Sequence, residues 1–254
     1  GYFPGSDVTE HNALEAGNFN LAKTHYKDGG SSNSGSSKRT MRGFSTGAQT
    51  KMYDGCPGCP YRHYKMFYDY YGDFDYADKW VTAALDKADM SFSNGRHGPN
   101  NFSGMHSEAR VEAVKKGTAY MNVWMYAVRE FEDAIDDCTS CTINCNVHST
   151  NYDSVHAWDE GVAFYTGSLE GTAYGGNSNG KLLYRLAEKR CAGLGTCGTS
   201  GISMVNSELF KPGGLFATGR DWLQLGRCSS VRPVVNQIVS LMTVPLVQGT
   251  LRYA

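Results

Sequence analysis

Eight cysteines constrain this chain more than any other feature: Cys56 and Cys59, then Cys138, Cys141 and Cys145, then Cys191, Cys197 and Cys228, all beside Gly, Ser, Asn or Asp in loop-like sequence. An even set of cysteines spread over such loops is what oxidative stapling leaves, whereas cytosolic thiols are kept reduced. Four disulfides are therefore expected, with the pairing open, because eight cysteines allow about 105 connectivities. The rival reading is a zinc site, since Cys56-Pro-Gly-Cys59 and Cys138-Thr-Ser-Cys141 have knuckle spacing, but it leaves the other four cysteines unexplained. The pattern Asn101-Phe102-Ser103 is an N-glycosylation acceptor and agrees with a secreted glycoprotein. The chain starts at Gly1 without Met or a signal-like segment, as expected of a processed secreted protein.

With 254 residues and 41% hydrophobic content the chain can build a proper core. A net charge of −1 gives no electrostatic case for nucleic acid or an anionic membrane, both of which call for a basic face. No apolar run approaches the roughly 20 residues of a membrane span. The longest, Val231 to Val247, is interrupted by Arg232, Pro233, Asn236, Gln237 and Pro245, so no transmembrane segment is expected.

Apolar periodicity predicts an all-α fold: an irregular helical bundle with long cysteine-bearing loops. Asp7-Val-Thr-Glu10 reads as a capping box before a short helix to about Tyr26, and a Gly/Ser run fills Lys27 to Lys38. The aromatic stretch Tyr61 to Tyr76 reads as packing surface, with a carbohydrate or pigment platform as the alternative. Helices are expected over 76–90, 107–137, 153–171 and 181–191, in pieces over 202–225 around Lys211-Pro-Gly-Gly214, and over 231–251. The expected organisation is one domain, 1–254, in which a loop-rich N-terminal arm, 1–75, packs on a helical core, 76–254.

The strongest helix carries the most informative residues. At about 100° per residue, Met121, Trp124, Met125, Val128, Phe131 and Ile135 share one side, while Glu108, Glu112, Glu130, Asp133 and Asp137 fall on the other. Glu132 projects about 240° from Glu108, inside the apolar arc. A carboxylate there must be paired, protonated or bound to a metal. Arg129, one turn earlier, is the candidate partner, with a ligand role as the alternative. On the next helix, Val155-His156-Ala-Trp158-Asp159-Glu160 sets His156 and Glu160 one turn apart, with Asp159 on the edge of the apolar face. A His and a carboxylate at i and i+3 or i+4 can converge on one cation, as bundle proteins do when they build iron sites. An ordinary solvated face accounts for the same residues. No nucleophile elbow, His-Glu-x-x-His, Walker loop or dinucleotide fingerprint is present, so the reading leans to a non-catalytic protein.

The run Val155-His-Ala-Trp-Asp-Glu-Gly-Val-Ala-Phe-Tyr-Thr-Gly-Ser-Leu-Glu170, preceded by Tyr126-Ala-Val-Arg-Glu-Phe-Glu-Asp-Ala-Ile135 and followed by Gly180-Lys-Leu-Leu-Tyr-Arg-Leu-Ala-Glu-Lys-Arg-Cys191, resembles the Fea-type iron-assimilating proteins of algae. These are secreted or periplasmic proteins also described as induced by high carbon dioxide. The resemblance spans about residues 76 to 191 and implies an algal or other protist source and extracellular iron binding. The His-x-x-Asp-Glu run is similar, more faintly, to the His-x-x-Glu signature of bacterial imelysin-like iron-regulated proteins. There His156 matches the His and Asp159 the acidic position, where Asp replaces the usual Glu.

The leading expectation is a secreted, periplasmic or cell-surface protein that binds iron, with zinc or manganese also suited to the donors. The metal residues expected are His156, Asp159 and Glu160, with Glu132 and Glu130 or Asp133 contributing carboxylates. A membrane uptake system or self-assembly would supply further partners. The alternatives are a structural protein of the cell surface or extracellular matrix, and a carrier of a pigment or a bicarbonate-like anion.

Overall fold

The computed structural model describes residues 12–29, 33–34, 36–96, 98–141, 154–167, 169 and 179–252. The fold is all-α and disulfide-stapled, as expected. Its only paired strands among the described residues are β1 (Asn33–Ser34) and β2 (Ser37–Lys38), a two-residue antiparallel ladder. Asp7 to Glu10 and the 142–153 and 170–178 segments, with Cys145, lie outside the described residues. The chain divides into two compact units, the first built on residues up to Met125 and the second on residues from Tyr126 onward.

The first unit contains α1 (Phe19–Asp28), α2 (Met41–Thr46), a π-helical turn (Thr50–Asp54), α3 (Arg62–Tyr71), α4 (Tyr76–Asp86) and α5 (Ser107–Lys116), which runs into a π-helical segment (Gly117–Val123). Residues 41–71, read from the sequence as part of a loop-rich arm, are thus largely helical. Side-chain oxygens start the first two helices: Asn18 accepts from the Leu21 N–H and Thr40 from the Gly43 N–H. The aromatic stretch is packing surface. Tyr68 stacks on Phe74 at 4.3 Å, Tyr71 stacks on Tyr76 at 5.0 Å, and the buried Tyr64 hydroxyl donates to the Phe74 carbonyl. Burial pushes the Tyr71 phenol up to about 12, so it remains a neutral member of that cluster at any physiological pH.

The π segment has a local cause. Trp80 of α4 donates its indole N–H to the Ala113 carbonyl, and its ring lies where a side chain at Gly117 would stand. Only glycine lets the helix pass this ring, and its hydrogen bonding widens there to the i→i+5 pattern.

The second unit contains most of α6 (Trp124–Ser140), then α7 (Ser154–Thr166), α8 (Leu182–Leu194), α9 (Met204–Phe210), α10 (Leu215–Gln224) and α11 (Cys228–Leu251). The Lys211-Pro-Gly-Gly214 break falls between α9 and α10, as expected. The core is centred on Phe131, Trp158, Tyr165, Leu183, Leu209, Val235 and Ile238. Trp158 contacts Phe131 edge-on at 4.8 Å and donates its indole N–H to the Phe216 carbonyl. Two glycines make room for these rings: a Cβ on Gly161 would stand 2.7 Å from Phe131, and one on Gly219 would collide with Trp158.

Three disulfides are described: Cys56–Cys59, Cys138–Cys228 and Cys191–Cys197, and Cys141 is disulfide-bonded as well. The zinc-knuckle reading is thereby overturned, because an oxidised sulfur has no thiolate to offer a metal. Oxidised cysteines on this scale agree with an oxidising environment. Cys138–Cys228 ties the last turn of α6 to the start of α11. By length and mean hydropathy alone, 1.3 over its most apolar window, α11 is able to cross a membrane. The two prolines do not end the helix, which continues through both Pro233 and Pro245. In this structure α11 buries Val231, Val234, Val235, Ile238, Val239 and Met242 inside the second unit.

Candidate functional site

Helices α6 and α7 meet where Gly161 admits the Phe131 ring, and this close approach brings the two charged stretches of the second unit together. On α6 the charged residues are Arg129, Glu130, Glu132 and Asp133; on α7 they are His156, Asp159 and Glu160.

Glu132 is buried, as the sequence requires of a carboxylate on the apolar arc, but its partner is Arg232 of α11, at 2.6 Å, and not Arg129. Arg232 is hidden from sequence reasoning because it lies a hundred positions away. The available signal is its place at the head of the Val231 to Val247 run, where a charge must also find a partner.

Glu130 corrects the helical-wheel expectation. The wheel projects it onto the acidic outer side, yet it is only 1% exposed. A wheel carried from Glu108 at a fixed 100° per residue runs through the π segment Gly117–Val123, whose wider turns rotate less per residue, so the phase drifts. Helix α6 is also enclosed on most sides of its first turns, with Trp124 to Val128 and Glu130 to Glu132 all buried.

Arg129 organises this part of α6. One end of its guanidinium donates to Glu130 Oε2 at 2.6 Å and the other meets Asp133 Oδ2 at 2.8 Å, while the group lies 5.7 Å from the Tyr126 ring. Burial alone would lower the Arg129 pKa, but Glu130 and Asp133 more than offset it and hold the group above its ordinary value. Burial pushes the Glu130 carboxyl up to about 7, against the pull of Arg129 and with help from the charges of Glu160 and Asp133. Among the described residues, two buried atoms of this cluster, Glu130 Oε1 and Arg129 Nε, have no hydrogen-bond partner. Such orphans are uncommon in folded proteins and draw attention to what else could sit against them.

On α7, His156 Nε2 lies 3.4 Å from Glu160 Oε1, the i, i+4 pairing expected from the sequence. His156 is 38% exposed in its side chain and Glu160 16%. The charge of Glu160 opposes ionisation of the enclosed Glu130. Asp159 is exposed.

Of the six residues expected to bind metal, Glu160 and Asp133 both act electrostatically on Glu130, and His156 pairs with Glu160. Asp133 is also paired with Arg129, Glu132 is paired with Arg232, and Asp159 is exposed. Among the described residues, no group of three or more His, Cys, Asp or Glu side chains forms a ready metal cage. Carboxylate and imidazole are donor types that iron, manganese and zinc accept, and Glu130 Oε1 is the buried carboxylate oxygen of this cluster that makes no hydrogen bond among the described residues. No family model, curated protein or solved structure matches the chain.

Proposed function

We propose that this protein is a non-catalytic, extracellular metal-binding protein that takes up iron at a cell surface or in a periplasm, holding it through Glu130, Glu160 and His156. The observation that carries the reading is the Glu130 carboxylate. It is enclosed, one oxygen is orphaned, and its ionisation is disfavoured by burial and by Glu160. A divalent or trivalent cation between Glu130 and the His156–Glu160 pair would remove that cost, because it neutralises the clustered carboxylates at the point where they repel. The half-exposed His156 gives the ion a way in. The likeness of the Val155 to Glu170 run to Fea-type proteins supports iron as the cargo, and the disulfides support an extracellular or periplasmic location.

Arg129 sets a condition on this site. Its bond to Glu130 Oε2 must loosen for Glu130 to engage a metal with both oxygens, whereas a one-oxygen contact through Oε1 leaves the Arg129–Asp133 pair intact. Calorimetric titration of Fe(II), Fe(III), Zn(II) and Mn(II) into the protein, beside the His156→Ala and Glu130→Gln variants, tests the reading. Saturable binding that both substitutions weaken at least tenfold is expected. Equal binding by all three proteins would remove the site.

A further inference from the structure

We infer that Asn101 carries an N-linked oligosaccharide, attached at its side-chain amide nitrogen. Asn-x-Ser/Thr occurs once in the chain, as Asn101-Phe102-Ser103, and neither the middle residue nor Gly104 after it is proline. The structure places this tripeptide where such a modification can be carried.

Its two outer residues face solvent while the middle one anchors the loop. Phe102 is 0% exposed and packs edge-on against Trp80 at 5.0 Å, whereas Asn101 and Ser103 are exposed. On one side the segment is held by the paired backbone bonds between Met90 and Asn100. On the other, Asp89 accepts the Ser103 N–H at 2.9 Å.

The hydrogen bonds of Asn101 all fall on one atom. Its Oδ1 accepts the Gly104 N–H at 2.8 Å and lies 2.9 Å from the Ser103 hydroxyl. That hydroxyl also lies 3.1 Å from Asp89 Oδ2, so its single hydrogen goes to one acceptor or the other. The Nδ2 atom makes no hydrogen bond among the described residues. A sugar on Nδ2 therefore displaces no contact, leaves Oδ1 free to keep both of its own, and projects into solvent. The hydroxyl beside the amide oxygen is the feature that distinguishes an acceptor asparagine from an ordinary exposed one.

The reaction is a glycosyl transfer from a lipid-linked oligosaccharyl pyrophosphate. The Nδ2–C bond to the anomeric carbon forms, the anomeric C–O bond breaks, the lipid pyrophosphate departs, and one amide proton passes to the transferase. No oxidation or reduction is involved. The transfer takes place in the compartment in which the cysteines are oxidised, so the inference rests on the extracellular part of the proposed function and is independent of metal binding.

The test is peptide mass spectrometry on the full chain secreted by a eukaryotic host. Treatment with peptide-N-glycosidase in isotopically labelled water should convert the Asn101 side chain to a carboxylate with one labelled oxygen, and the intact protein should lose the mass of a single glycan. Ser103→Ala should abolish that glycan, while Ser103→Thr should keep it. Secreted wild-type protein whose Asn101 peptide is wholly unmodified would overturn the inference, as would a glycan that persists in Ser103→Ala.

Discussion

Replacing Glu130 by Gln puts a neutral group of the same shape where the fold disfavours a charge. The carboxyl is pushed up from an ordinary value of 4.5 to about 7, first by burial. The folded protein therefore holds this proton more tightly than the unfolded chain does. Below pH 4.5 both states are protonated and Glu130 costs nothing. Between pH 4.5 and 7 the unfolded chain has released the proton and the folded protein has not, so wild-type stability falls as pH rises, and above pH 7 the loss is complete. A shift of this size, at about 1.4 kcal/mol per pH unit, amounts to about 3 kcal/mol. Gln resembles the protonated acid and can accept the Arg129 hydrogen bond, while Arg129 keeps Asp133 at 2.8 Å. Any fixed difference between Gln and the protonated Glu shifts the two stability curves apart by a constant and leaves their slopes unchanged. Denaturant unfolding of both metal-free proteins from pH 4.5 to 8, followed by circular dichroism, reads the difference. The Glu130→Gln variant should gain about 3 kcal/mol on the wild type across this range. A difference that does not change with pH, or one that runs the other way, would refute the argument.

Three further outcomes follow from the packing. Arg232→Ala leaves the buried Glu132 without its counter-ion and should cost about 2 kcal/mol, whereas Glu132→Gln leaves only the half-exposed Arg232 to solvent and should cost about 1 kcal/mol or less; equal costs in denaturant melts would contradict the pairing. Gly219→Ala drives a methyl group into the Trp158 ring and should cost about 3 kcal/mol or prevent folding of the second unit, read from the loss of the near-ultraviolet tryptophan signal; a wild-type signal and midpoint would contradict it. Removing Cys138–Cys228, which closes a separation of 90 residues, should cost about 4 kcal/mol, against about 2 kcal/mol for Cys56–Cys59 with its separation of 3 residues. Similar midpoints for the two double Cys→Ala variants would show that chain entropy is not what these staples supply.

The helices after residue 75 are legible in the sequence where they bury a stripe with a clear period, while those within 41–71 are not, and the Lys211-Pro-Gly-Gly214 interruption is legible because a proline followed by two glycines removes a backbone donor and the conformational bias to helix together, whereas the single prolines at 233 and 245 leave α11 continuous. His156 and Glu160 are legible as a pair because they lie one turn apart on a regular helix. Glu130 escapes the pattern because sequence periodicity assumes a constant turn, and the ring of Trp80 against Gly117 changes that turn upstream. Arg232 and the partner of Cys138 are out of reach for a different reason. Both are contacts between distant positions, fixed by how the helices of the second unit stack, and local pattern carries no record of that.

Whether the protein holds a metal at Glu130, Glu160 and His156 is tested most directly by elemental analysis of protein loaded with excess Fe(II) or Fe(III) and then freed of unbound ion, comparing the wild type with Glu130→Gln/His156→Ala. Stoichiometric metal in the wild type and a substantial loss in the double variant are expected. Metal-free wild-type protein, or a metal content the double substitution leaves unchanged, would contradict binding at that site.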